Sequence, residues 1–340
     1  MREREVVIES EAPIAGVLCL PEDASARRPA GSLLLIGGSG ADTRHGDLVI
    51  ERAHSGAGAG GAHAPAVPGT LRRIAHHLAQ HGLASLRWDR RGSGASGGDL
   101  KTAGYHTDLI DATACFRWMA ARPEIDPARI GAAGHSAGAL TTCRLCRDVP
   151  EVAAAGLLGA LSSPIEDMLA WNASRIRDHW DAFTAAQRDW LEREMPATLL
   201  RHERMGAVLA AARRGDDAVV IEGRGQRIEA STVRLRQDLA TDYAAEMAPV
   251  ACPTLVLHGG DDLNVPVADA LRSYLVLRNA GNDAVDLVIL PGLEHYYCPT
   301  PPDPQRRIWE RISRDAIMPP MAPEALDAIG RWAVHRLGSR

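Results

Sequence analysis

The sequence predicts an α/β protein with a mostly parallel central sheet, helices on both faces and an inserted helical cap. Three observations carry this. Strand-length apolar runs alternate with helix-period segments up to about residue 160, and again after Pro253. The alternation lapses from Ile165 to Met247, where the chain reads as charged and mostly helical. Gly-rich turns close several of the strands, among them Gly134-His135-Ser136-Ala137-Gly138. The expected organisation is a core of residues 1–164 and 248–340 and a cap of residues 165–247.

The elements follow in order. Val6-Val7-Ile8 and Ile14 to Leu20 are β-rich runs on either side of a Glu-Ala-Pro turn, and read as paired strands. Leu33 to Ile36 is a continuous apolar run, expected of a strand buried on both faces, and ends in Gly37-Gly38-Ser39-Gly40. His54 to His63 carries no periodicity and reads as a surface loop. Its glycines follow no strand, which argues against a dinucleotide fingerprint. Thr70 to His81 is helical, with Leu71, Ile74, Ala75 and Leu78 on one face. Ala84 to Trp88 is a strand closed by Asp89-Arg90-Arg91-Gly92-Ser93-Gly94, and Asp108 to Ala121 is a helix. Arg129 to Ala133 is the strand before the serine turn, Ala139 to Arg147 the helix after it, and Ala153 to Ala160 another buried strand. Beyond the cap, Thr254 to His258 and Asp286 to Leu290 are strands, and Val267 to Ala280 and Pro323 to Leu337 are helices. Pro299 to Pro304 reads as a rigid loop.

The chain has 340 residues, 46% hydrophobic and 24% charged, enough for one large core. Aromatics are only 4%, so Ala, Leu, Val and Ile must fill that core. Net charge is −5 with acid and base interspersed, so no basic stripe points to nucleic acid. No apolar run reaches membrane-spanning length, and the charged start Met1 to Glu5 lacks the apolar stretch of a secretory signal. A cytoplasmic protein is expected. The six cysteines are scattered and do not read as a disulfide framework. Cys143 and Cys146 have redox spacing, but buried, inert thiols within a helix account for them better.

A serine on a sharp strand-to-helix turn presents its hydroxyl at the sheet edge; the plainer reading is a Gly-rich turn without chemistry. Serine is a weak nucleophile and needs a base, which in turn needs an orienting acid. Two later strand ends offer both: Gly259-Gly260-Asp261-Asp262 with Val265-Pro266, and Pro291-Gly292-Leu293-Glu294-His295. Residues just past the carboxyl ends of parallel strands share one edge, so Ser136, the Asp pair and His295 are expected to converge.

With these residues the chain resembles an α/β-hydrolase over nearly its whole length. It is most similar to bacterial serine esterases with an H-G-S-G loop and a D-x-R-G-x-G-x-S turn, here Gly37-Gly38-Ser39-Gly40 and Asp89 to Ser96. The resemblance implies Ser136 as nucleophile, His295 as base and Asp262, separated from Val265-Pro266 by two residues as in the family's spacing, as the acid. Asp261 is then a neighbour capping the turn. It places an oxyanion hole at the backbone N–H groups of Ala137 and Ser39. The loop departs from the family: Gly37 stands where histidine is usual, and Ala41 to His45 replaces a Pro and Asp-Arg-Asp run.

The expected activity is hydrolysis of a carboxylic ester through an acyl-enzyme, with no cofactor or metal. An acyltransferase or thioesterase, a C–C bond hydrolase and a non-catalytic binding protein on this fold are the alternatives. The substrate is a small ester or acyl compound, and a homodimer is compatible with the sequence. Gly38, Gly40, His135, Trp171 and Trp180 are candidate substrate contacts, the tryptophans because the cap holds Trp171, Trp180, Phe183 and Trp190. Tyr105 and His106 either line the cleft or start a helix, and Glu294 either raises the basicity of His295 or faces water. His76, His77 and His81 share a helix without a third ligand and read as solvent-facing rather than metal-binding.

Overall fold

A computed structural model of the chain describes residues 1–39, 43–49, 65–67, 69–313 and 319–338. Its centre is an eight-stranded sheet. In chain order the strands are β1 (Arg2–Ile8), β2 (Ile14–Leu20), β3 (Ala30–Ile36), β6 (Ala84–Trp88), β7 (Ile125–His135), β8 (Ala155–Leu158), β11 (Thr254–Gly259) and β12 (Val285–Leu290). Their spatial order is β1-β2-β6-β3-β7-β8-β11-β12. β1 and β2 are antiparallel, β2 joins β6 antiparallel, and every later pairing is parallel. Outside it, β4 (Leu48–Val49) and β5 (Pro65–Val67) form a short antiparallel pair. The His54 to His63 segment and Gly40 lie outside the described residues.

Five helices cover the sheet: α1 (Thr70–Gln80), α2 (Tyr105–Ala120), α3 (Ala137–Asp148), α10 (Ala268–Asn279) and α12 (Pro323–Leu337). The apolar strand runs divide between two layers because successive side chains point to opposite faces. Leu33 and Leu35 of β3 join Leu71, Ile74, Leu78, Ile329 and Trp332 of α1 and α12. Leu34 and Ile36 join Phe116, Met119 and Leu145 of α2 and α3. β11 repeats the division, with Leu255 and Leu257 in the α1/α12 layer and Val256 beside Ala270 and Leu277 of α10. Each fully buried leucine contributes about 1.5–3 kcal/mol, so both faces of the sheet that carries the site are well packed.

β1 begins earlier than the apolar run suggested. Arg2 to Glu5 are exposed, and the strand is the charged edge of the sheet, as edge strands commonly are. Glu3 reaches back from it to the wholly buried Arg87 guanidinium at 2.8 Å.

Between β8 and β11 lie α4 (Ile165–His179), α5 (Ala185–Glu194), α6 (Pro196–Glu203), α7 (Met205–Arg214), β9 (Ala218–Gly223), β10 (Gln226–Ser231), α8 (Val233–Leu239) and α9 (Tyr243–Met247). The β9–β10 hairpin was not expected of a helical stretch. Its signal is the run Val219-Val220-Ile221 before Arg224-Gly225, whose φ values of 49° and 68° give a two-residue turn of the twist that hairpins favour. The Pro-rich loop is followed by a helix the sequence reading missed, α11 (Pro304–Ser313). Its Ile308 and Trp309 complete an apolar cluster with Phe183, Leu191, Met195 and Leu199 of the insertion.

Candidate active site

Ser136 stands alone between β7 and α3 with φ 55° and ψ −123°, a strained conformation for a residue with a side chain. Its N–H donates to the Leu158 carbonyl of β8 at 2.7 Å, which ties the turn to the neighbouring strand. The flanking glycines are required by contact. A Cβ at Gly134 would overlap the Gly138 carbonyl, and one at Gly138 would lie 2.6 Å from the carbonyl oxygens of both Ile36 and Gly37. Small residues thus let the first turn of α3 close on the end of β3.

Asp262 lies in the turn after β11, with only 5% of its surface exposed. Its Oδ2 accepts from His295 Nδ1 at 2.7 Å, and its Oδ1 accepts the N–H groups of Asn264 at 2.6 Å and Val265 at 2.9 Å. Burial opposes the charge, but the His295 imidazole, His258 and the Val265 amide outweigh it and hold the carboxyl down at about 2. Asp261 has other partners: Arg307 at 2.6 Å and the Thr300 hydroxyl at 2.8 Å.

His295 follows β12 in a loop pinned from several sides. Glu294 Oε1 accepts the N–H groups of Tyr296 at 2.6 Å and Cys298 at 3.3 Å, bracketing the histidine. Tyr297, at φ 61°, donates its hydroxyl to the Leu257 carbonyl at 3.0 Å. Glu294 therefore does not face water. Burial pushes its carboxyl up to about 6, against the pull of His295 and Arg311, and its Oε2 is buried without a hydrogen-bond partner.

The Ser136 turn opens onto a cavity of about 320 Å³, at the small end of the range for ligand sites. Ser39, Ser136 and Ala137 border it, and Leu140, Leu161, Ile165, Met168 and Leu169 form an apolar wall. Tyr105, Arg234, Asp238 and Tyr243 supply polar groups to the same lining. Tyr243 donates to Asp238 at 2.6 Å, its hydroxyl lies 3.4 Å from that of Tyr105, and Arg234 stacks 4.1 Å over the Tyr105 ring. Arg234 and Asp238, four apart on α8, were not singled out in the sequence. Only their helical spacing hinted that one face carries both. Tyr105 both lines the cavity and opens α2, while His106 is exposed.

Several expected substrate contacts lie elsewhere. The His135 ring is buried and is not part of the cavity wall. Its Nε2–H donates to the His295 carbonyl at 2.8 Å, and burial, with His295 beside it, lowers its pKa to about 3. It braces the histidine loop instead. Trp180 borders a separate opening of about 600 Å³ with Arg177, Glu192 and Glu203, and packs edge-on against Phe183. Trp171 is half-buried on α4 but lies roughly 110° around the helix from the face that carries Ile165, Met168 and Leu169. Gly38 sits where a Cβ would come within 3.0 Å of Ser136 Cβ, so it packs against the serine turn.

His77 is not solvent-facing: it packs over Gly330 of α12, and His76 bonds Glu3 at 2.8 Å. No cluster of metal-ligating side chains occurs among the described residues. All six cysteines are free; Cys146 is half-buried and lies 4.0 Å from Cys252 rather than pairing with Cys143. No helix among the described residues is long and apolar enough to cross a membrane.

A parallel sheet with an antiparallel leading pair, a serine turn after β7, and acid and histidine loops after β11 and β12 define an α/β-hydrolase. The family model described as serine aminopeptidase, S33, matches residues 68–298, and the chain belongs to that family. It is similar to RutD of Klebsiella pneumoniae, named for a proposed carbamate hydrolysis, at 29% identity over 185 residues. That match spans 54% of this chain and 65% of the relative, just under two thirds of its length. Among solved structures it is similar to the α/β-hydrolase GrgF from Penicillium sp., with TM-score 0.58, 16% identity and full coverage of both chains. The esterase Pf2001 of Pyrococcus furiosus gives TM-score 0.57 and 15% identity, covering 99% of this chain and 92% of its own. These structural likenesses concern the fold.

Proposed function

We propose that the protein is a serine hydrolase that cleaves a carboxylic ester through an acyl-enzyme. The observation that carries this is the buried 2.7 Å contact between Asp262 and His295 on the same sheet edge as the strained Ser136 turn. Ser136 Oγ attacks the substrate carbonyl while His295 Nε2 takes its proton. The carbonyl electrons move to oxygen, and the tetrahedral intermediate collapses as the imidazolium protonates the departing alcohol. Water, deprotonated by the same nitrogen, then releases the acid and restores Ser136. Asp262 holds the Nδ1–H tautomer and stabilises the imidazolium.

The N–H groups of Ala137 and Ser39 receive the oxyanion in this reading. Ala137 opens α3, so the helix dipole favours negative charge there. Residues 165–247 act as the cap, with α4 and α8 forming the walls. The apolar wall takes a small to mid-sized acyl or alcohol group, and the Tyr105–Tyr243–Asp238 chain meets a polar substituent on it.

The likeness to RutD supports including carbamates among the substrates tried. The test is fluorophosphonate labelling of wild type and Ser136→Ala, followed by ester, thioester and carbamate panels with competing alcohols. Labelling and ester turnover should vanish in the variant. Labelling that survives, or a clear preference for thioester or for transfer to alcohol, would overturn the reading.

A further inference from the structure

His258 is the penultimate residue of β11, with none of its surface exposed. A fully buried strand position flanked by Leu257 is one where an aliphatic side chain costs least. The histidine instead leaves its Nδ1 buried with no hydrogen-bond partner, an arrangement that costs stability. Its Nε2 explains its presence. That nitrogen lies 3.1 Å from the Val265 carbonyl, which can only accept, so Nε2 carries the proton. The same atom lies 3.3 Å from Asp262 Oδ2, the oxygen that faces His295. Val265 in turn donates its own N–H to Asp262 Oδ1. His258 therefore grips both ends of the Asp262 turn.

We propose that His258 is a positioning residue that fixes the Asp262 carboxylate against His295, so that the site works as a four-membered Ser136–His295–Asp262–His258 array. The proposal rests on the serine-hydrolase reading above. The carboxylate is held by two backbone amides on one oxygen and by two imidazoles on the other. Without His258, Val265 loses the partner for its carbonyl and Oδ2 loses one of its two neighbours, so the carboxylate is free to turn away from Nδ1. Substrate does not touch His258, which lies behind Asp262. Its loss should act on turnover rather than on binding.

The test compares His258→Leu, which removes the donor, with His258→Gln, whose amide can reach the same two acceptors. Ester hydrolysis and thermal unfolding are measured for both. His258→Leu should lose at least about tenfold in kcat with KM within about twofold of wild type, and His258→Gln should recover most of the loss. Wild-type kcat in His258→Leu, or an equal loss in both variants, would overturn the proposal. Should His258→Leu not fold, nitrogen NMR of the wild-type protein decides: the Nε2–H tautomer at His258 supports the proposal, and the Nδ1–H tautomer refutes it. That measurement does not depend on turnover. Ester activity persisting in Ser136→Ala would instead sink the serine reading and leave the His258 tautomer standing.

Discussion

Asp262→Asn tests the proposed mechanism most directly. The substitution preserves volume, and the asparagine oxygen can still accept from Asn264 and Val265. Its amide would then face His295 Nδ1 with a donor where the carboxylate had accepted at 2.7 Å. Two N–H groups cannot share that space, so His295 is driven to the Nε2–H tautomer and can no longer take the Ser136 proton. The charge is lost as well. For centres roughly 4 Å apart at an effective dielectric near 20, the carboxylate–imidazolium attraction is worth about 4 kcal/mol. At about 1.4 kcal/mol per decade, this predicts a fall of about three powers of ten in kcat. The assay is steady-state hydrolysis of a p-nitrophenyl ester, with the rate of fluorophosphonate labelling as a check on Ser136 itself. Both should fall together while KM stays near wild type. A loss of less than tenfold in a folded Asp262→Asn protein would refute the proposed role of the carboxylate.

Two further predictions concern stability. Burial raises the folded Glu294 carboxyl from 4.5 to about 6, so its contribution is fully present below pH 4.5 and is lost as pH rises through 6. A shift of roughly 1.5 units corresponds to about 2 kcal/mol. The stability of Glu294→Gln relative to wild type should therefore improve by about that amount between pH 4.5 and 8 in urea titrations; a difference independent of pH would count against it. Gly134→Ala places a methyl group into the Gly138 carbonyl and should cost at least about 3 kcal/mol or prevent folding, since neither backbone can yield. A loss below about 1 kcal/mol by chemical denaturation would show that the serine turn is looser than its geometry implies.

The chain order of apolar runs was enough to place all eight strands of the central sheet and the helices between them, because a strand buried on both faces reads as a short run of apolar residues whatever its neighbours. The serine turn was legible for the same kind of reason: its two glycines answer a contact between residues four apart. α11 escaped notice because its apolar residues make sense only against the insertion, as when Ile308 meets Phe183 and Leu199, and the β9–β10 hairpin because its short apolar run lies inside a charged, mostly helical stretch, where Ile221 packs with Leu200 and Val208. The tryptophans misled because composition says nothing of direction, and Trp171 and Trp180 point away from the serine cavity.

Local sequence determined which residue types sit at the strand ends, since hydrophobic period and turn chemistry act over a few residues. Only the tertiary structure decided which of two adjacent aspartates contacts His295, that His135 braces rather than binds, and that His258 stands behind Asp262. The first two depend on atoms brought together from strand ends far apart in the chain, the third on how the turn after β11 folds back over its own strand, and all three on burial, which makes each such hydrogen bond costly to leave unmade.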